Sequence, residues 1–182
     1  MKCTQALALI NSIDLTQLFE NSKDILCHYL DKRYGESITD PKIFRNHSAY
    51  WEKEFFKDID SLNIQRPDIL TRVSEYVPEI VAYVQQIMEK GYAYEVNGSI
   101  YFDTETFGQH PHHYYAKLEP WSRGNDSLID EGEGSLSKGV TGKKNKNDFA
   151  LWKKGKGGEP QWESPWGNGR PGWHIECSTM AR

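Results

Sequence analysis

A histidine, a glutamate and a cysteine, His174, Glu176 and Cys177, fall within four consecutive residues of the stretch RPGWHIECS. Side chains of these types hold transition metals, exchange protons and attack as thiolates. Each of those chemistries needs more than the triplet supplies. A zinc deaminase carries His-x-Glu but also a Pro-Cys-x-x-Cys segment downstream, which this sequence lacks. A cysteine nucleophile needs a base against its sulfur, and the spacing to His174 does not by itself bring the two groups together. As a zinc ligand Cys177 needs three partners, and the neighbouring sequence offers few. On an extended segment His174 and Glu176 would share one face and orient their neighbours.

Three other stretches carry chemistry-bearing residues. His110, His112 and His113 in HPHH lie in a loop interrupted by Pro111, where solvated histidines are a simpler expectation than a metal site. The stretch GSLSKGVTGKKN lacks the Walker spacing, because Gly139 is followed by Val140 and Gly142-Lys143 by Lys144. Seven lysines lie from Lys138 to Lys156, opposed only by Asp148. Such a cluster suits RNA backbone or nucleotide phosphates, and a solvated loop is the equal alternative.

Positioning these groups falls to a chain of 182 residues with a net charge of -4, which gives no global electrostatic reason to bind nucleic acid. Its three cysteines, Cys3, Cys27 and Cys177, are odd in number and far apart, so no disulfide framework is expected. Cys27, among Ile25, Leu26, Tyr29 and Leu30, reads as a buried thiol on a helix. No apolar run approaches the roughly 20 residues of a membrane span, and no secretory leader pattern opens the chain, so a cytoplasmic protein is expected.

Residues 1–66 read as helical. Apolar positions recur at helical spacing between Asp14 and Gly35, and a second helix is expected from about Ser48 to Leu62 with Trp51, Phe55, Ile59 and Leu62 on one face. Both are expected to be packing elements with their aromatic residues in a core. A third, strongly amphipathic helix follows Ser74 and stops at Gly91. YAYEVNGSIYFD then gives two alternating runs about Asn97-Gly98, a type I′ hairpin pairing Tyr94 with Tyr101 and Glu95 with Ile100. Between Phe107 and Asn147 the pattern dissolves into a polar, glycine-bearing loop. Apolar density returns with DFALWK, where the chain re-enters a core.

NDFALWK (147–153), GEPQWESPWGNGRPGWHIECSTMA (158–181) and LTRVSEYVPEIV (70–81) together resemble cysteinyl-tRNA synthetases, and the helical lead-in and NGSIYFD hairpin are most similar to the eukaryotic branch. The resemblance implies an α/β fold: part of a class I, Rossmann-like catalytic domain with a helical insertion at 1–66, a core helix at 67–91, a connective insertion with a β-hairpin at 92–147, and a return to the core at 148–182. It implies ATP- and Mg2+-dependent activation of cysteine, transfer to tRNA(Cys), and a Zn2+ that binds the substrate thiolate. Cys177 matches the family's second zinc ligand, on what is expected to be a strand, and Trp173 the indole lining the cysteine pocket. His174 and Glu176 match motif letters as candidate supports of that site. Lys143, Lys144 and Lys146, at the end of the insertion, are the candidates for RNA or phosphate contact.

Several family features do not occur in this sequence: the Cys-Gly-Pro segment with the first zinc cysteine, the His-Ile-Gly-His signature and the Lys-Met-Ser-Lys-Ser loop. The chain is therefore expected to be an interior piece, inactive and unable to hold zinc tightly by itself. Two rivals stay open at this point: a cysteine ligase of mycothiol synthesis, and a stand-alone, non-catalytic binding module.

Overall fold

A computed structural model describes residues 15–123 and 142–182. Two long helices come first. Helix α1 (Leu15–Tyr34) carries Lys32 and Arg33 in its last turn, where cations oppose the negative end of the helix dipole. Helix α2 (Pro41–Ser61) begins earlier than the apolar spacing predicts, because Asp40 caps it by accepting the Lys42 N–H at 2.9 Å and Pro41 occupies its first turn. It ends where Asn63 turns left-handed at φ 54°.

The expectation that these helices bury their aromatic faces is corrected by the structure. No described side chain of α1 or α2 is buried, and Phe19, Tyr29, Trp51 and Phe55 are more than half exposed. Cys27 is exposed for the same reason, contrary to its reading as a buried thiol. Amphipathic spacing shows which face of a helix is apolar, and here the described core is filled by other elements. Arg72 ties α2 to the segment beyond it, donating from Nε and Nη2 to the Glu52 carboxylate at 2.7 and 2.8 Å. Those bonds hold the Glu52 carboxyl below its ordinary range.

The core forms between helix α3 (Val77–Glu89), which buries Val77, Ile80 and Val84, and one antiparallel sheet. Strands β1 (Ala93–Val96) and β2 (Ser99–Phe102) make the expected hairpin, with Tyr94 opposite Tyr101 and Glu95 opposite Ile100. Asn97 at φ 53° and Gly98 at φ 83° supply the two positive dihedrals of a type I′ turn. A short helix, α4 (Thr104–Gln109), follows β2. Strand β3 (Phe149–Lys154) pairs with β2 and buries Ala150, Leu151 and Trp152 in succession, which requires cover on both faces. Strand β4 (Gly169–Pro171) completes the order β1-β2-β3-β4, setting Lys153 opposite Arg170. The fold is thus α/β, as expected, with every described strand pair antiparallel.

The chain closes with helix α5 (Trp173–Met180), which sends Ile175 into the core formed by α3, Ile100, Leu151 and Trp152. Gly172 makes this entry possible. Its N–H donates to Leu151 O at 2.8 Å, and a Cβ at this position would overlap the Ala150 carbonyl oxygen. Among the described residues no helix is long and apolar enough to cross a membrane.

Candidate functional site

The segment that the sequence places on a strand is helical, and this changes which side chains meet. Pro171-Gly172 ends β4, and burial of Ile175 and Thr179, one turn apart, fixes the helical period of α5 over the alternating one. The inner stripe is only these two residues, so the sequence carries little helical signal. On the helix Trp173 and Cys177 are four residues apart and share a face, and both are exposed. His174 and Glu176, two residues apart, lie on opposite flanks instead of sharing one face.

His174 sets its ring edge against Phe149, with centroids 4.7 Å apart, and lies 6.1 Å from the Trp173 ring. Phe149 stacks on Phe102 at 5.2 Å, so the aromatic packing continues from α5 into the hairpin. Glu176 is half-buried, and burial raises its carboxyl above the ordinary range against the opposing pull of Arg170 and Lys153. Among the described residues no three His, Cys, Asp or Glu side chains converge to hold a metal. Cys177 is a suitable zinc donor in type, but one thiol is not a zinc site, and the donor set described here does not fit a complete one.

A second constellation closes the base of the excursion between α4 and β3. Asp148 is fully buried and its carboxylate accepts four hydrogen bonds. Oδ1 takes the Thr104 N–H at 3.0 Å and the Thr104 hydroxyl at 2.8 Å. Oδ2 takes the Tyr94 hydroxyl at 2.6 Å and the Asn145 N–H at 3.1 Å. Burial, then the bond to Asp148, pushes the Tyr94 phenol upward. Tyr94 Oη accepts the Lys144 N–H at 2.8 Å, which pins the incoming chain to β1.

The three candidate lysines differ in their surroundings. Lys144 Nζ reaches Asp103 Oδ2 at 3.1 Å and lies 4.4 Å from the Tyr94 ring centroid. Burial alone would raise the Asp103 carboxyl, but the Thr106 N–H and the Lys144 ammonium together hold it below its ordinary range. Lys143 Nζ lies 5.5 Å from the Tyr101 ring centroid, and Lys146 is exposed. Lys138 and the 135–139 stretch fall outside the described residues. The histidines of HPHH are not uniformly solvated as expected. His113 stacks on Phe107 at 4.3 Å and on His110 at 4.2 Å, and burial lowers its pKa, while His112 stays exposed.

The family model described as tRNA synthetases class I (C) catalytic domain matches residues 17–182. The chain belongs to this class I synthetase family. It is 54% identical over 167 residues to the cytoplasmic cysteine–tRNA ligase of Gallus gallus, covering 90% of this chain and 22% of that protein. The cytoplasmic cysteine–tRNA ligase of Homo sapiens is 52% identical over the same length and with the same coverage. That of Drosophila melanogaster is 51% identical over 163 residues, 88% of this chain and 22% of its own. The class I chain therefore spans about a fifth of the length of these relatives.

Within this synthetase segment, sequence reasoning missed the buried Asp148 network. Asp148 stands in the sequence as a lone acid amid lysines, and its partners Thr104 and Tyr94 are 44 and 54 residues away. The available signal was its place directly before the apolar strand DFALWK, where a carboxylate must find donors or face water.

Proposed function

We propose that the protein carrying this chain is a cysteine–tRNA ligase that activates cysteine with ATP and Mg2+ and transfers it to tRNA(Cys). The observation that carries this reading is the 54% identity to a cytoplasmic cysteine–tRNA ligase across nine-tenths of the chain. The geometry of α5 supports it. Trp173 and Cys177 form one exposed face held by a buried underside, which suits a wall of an amino-acid pocket whose other parts lie elsewhere in the protein. Trp173 lines that pocket, and Cys177 contributes one thiolate donor toward zinc, a metal that favours sulfur over a serine hydroxyl. His174 and Glu176 support the helix from its flanks. In this reading residues 1–66 are a helical insertion, 67–91 a core helix, 92–147 the connective insertion and 148–182 the return to the core. The cytoplasmic label of the relatives extends to this protein as part of the same reading.

Charging of a tRNA(Cys) transcript with radiolabelled cysteine by the full-length protein tests it. Formation of an acid-precipitable, alkali-labile cysteinyl-tRNA is expected. Activation of cysteine without transfer to any tRNA would instead favour a ligase that couples cysteine to an amino sugar.

A further inference from the structure

We infer that Phe149, the first residue of β3, is a positioning residue for the amino-acid pocket: through His174 it sets the first turn of α5, and with it the indole of Trp173. The inference rests on the ligase reading above and assigns a role to a residue outside the RPGWHIECS stretch.

Helix α5 has eight residues and begins after Gly172, which supplies no side-chain cap. Ile175 and Thr179 hold its inner side, while Trp173 is largely exposed, so burial does not fix the direction of its indole. An inner stripe keeps a helix on its core; a contact on the flank fixes its rotation about its own axis. His174 lies about 100° around the helix from Ile175 and makes such a contact. Its ring meets that of Phe149 with centroids 4.7 Å apart and planes at 63°, within the geometry that edge-to-face aromatic pairs favour.

Phe149 is itself held in place. It is the register partner of Phe102, whose ring stacks on it with planes at 22°, and Phe102 in turn meets Phe107 of α4 at 5.3 Å. The residue before it, Asp148, is fully buried and fixes the backbone at the entry to β3 through Thr104, Tyr94 and Asn145. Side chains alternate across a strand, so Asp148 gathers the base of the excursion on one face while Phe149 packs on the core and reaches α5 on the other. Two consecutive residues thus tie the base of the excursion to the helix that carries Trp173. A leucine at position 149 would keep apolar bulk against the core but offer no ring face to an imidazole, which makes positioning separable from burial.

The test uses the full-length protein with Phe149→Leu, Phe149→Tyr, His174→Ala and the double variant Phe149→Leu/His174→Ala. ATP–pyrophosphate exchange gives KM for cysteine and for ATP, and amide hydrogen exchange by mass spectrometry follows the α5 peptide in the same preparations. Phe149→Leu is expected to raise KM for cysteine about fivefold, the loss of one aromatic pair, with KM for ATP within about twofold. It should also accelerate amide exchange in α5 about fivefold, and Phe149→Tyr, which keeps the ring, should restore both readouts. The double variant should be no worse than His174→Ala alone, because the two residues act as a pair. An unchanged KM for cysteine in folded Phe149→Leu would overturn the role. So would cysteine and ATP constants that rise together, which marks a general structural loss, or effects that multiply in the double variant, which places the action of Phe149 elsewhere. Amide exchange needs no turnover: unaltered rates in α5 would overturn the positioning by themselves, whereas absence of pyrophosphate exchange in the unmodified protein would count against the ligase reading.

Discussion

Asparagine in place of Asp148 removes one acceptor from the buried network that joins α4, β1 and β3. The remaining carbonyl oxygen serves Thr104, keeping the bonds at 3.0 and 2.8 Å. The new amide NH2 then faces two donors, the Tyr94 hydroxyl and the Asn145 N–H. Tyr94 cannot relieve this fully, because its oxygen already accepts the Lys144 N–H. Two hydrogen bonds to a charged group, each worth about 1.5–3 kcal/mol, are lost and partly replaced, for a net cost of about 3 kcal/mol. Asp148→Ala also orphans the Thr104 N–H and is expected to cost about 4–5 kcal/mol. Amide hydrogen exchange followed by mass spectrometry reads this locally, in peptides containing Thr104 and Asn145. A loss of about 3 kcal/mol accelerates exchange there roughly 150-fold. Acceleration below about fivefold in both peptides would refute the account of Asp148 as the clasp of this excursion.

Gly172→Ala is expected to destabilise the domain by about 3 kcal/mol, since its Cβ overlaps the Ala150 carbonyl and α5 must shift; chemical denaturation measures this. Glu176→Gln should raise the thermal midpoint at pH 7 and give no gain at pH 3. The folded-state carboxyl is raised by burial, so the stability it contributes is full below its unfolded pKa and lost as pH rises through the folded one. Trp173→Ala should leave the thermal midpoint nearly unchanged, the indole being 58% exposed, while raising the KM for cysteine about tenfold in the full-length protein. The 182-residue chain alone should fail to compete with a chromophoric chelator for one equivalent of zinc, because it presents Cys177 without a converging donor set among its described residues.

Local patterns were legible wherever one short-range effect dominates. Asn97-Gly98 dictates the turn, and the turn dictates the register of Tyr94 with Tyr101. The apolar stripe of α3 and the dense run of β3 announce burial because both are strongly patterned. Helix α5 was not legible, since Trp173 and Cys177 stay exposed and its inner stripe is only Ile175 and Thr179. Reading it as a strand also paired the wrong side chains: His174 with Glu176 in place of Trp173 with Cys177. The open faces of α1 and α2 were equally hidden, because periodicity marks an apolar face without saying what covers it. The motif letters around Cys177 pointed to the family, but contacts such as Thr104 with Asp148, far apart in sequence, became visible only in the folded chain.

Cysteine-dependent ATP–pyrophosphate exchange by the native full-length protein, captured with an antibody raised against this chain, tests the central claim most directly. Exchange driven by cysteine, and not by serine, is the predicted result. A folded, full-length sample that exchanges no label with cysteine would contradict the assignment and leave RPGWHIECS as scaffold without its chemistry.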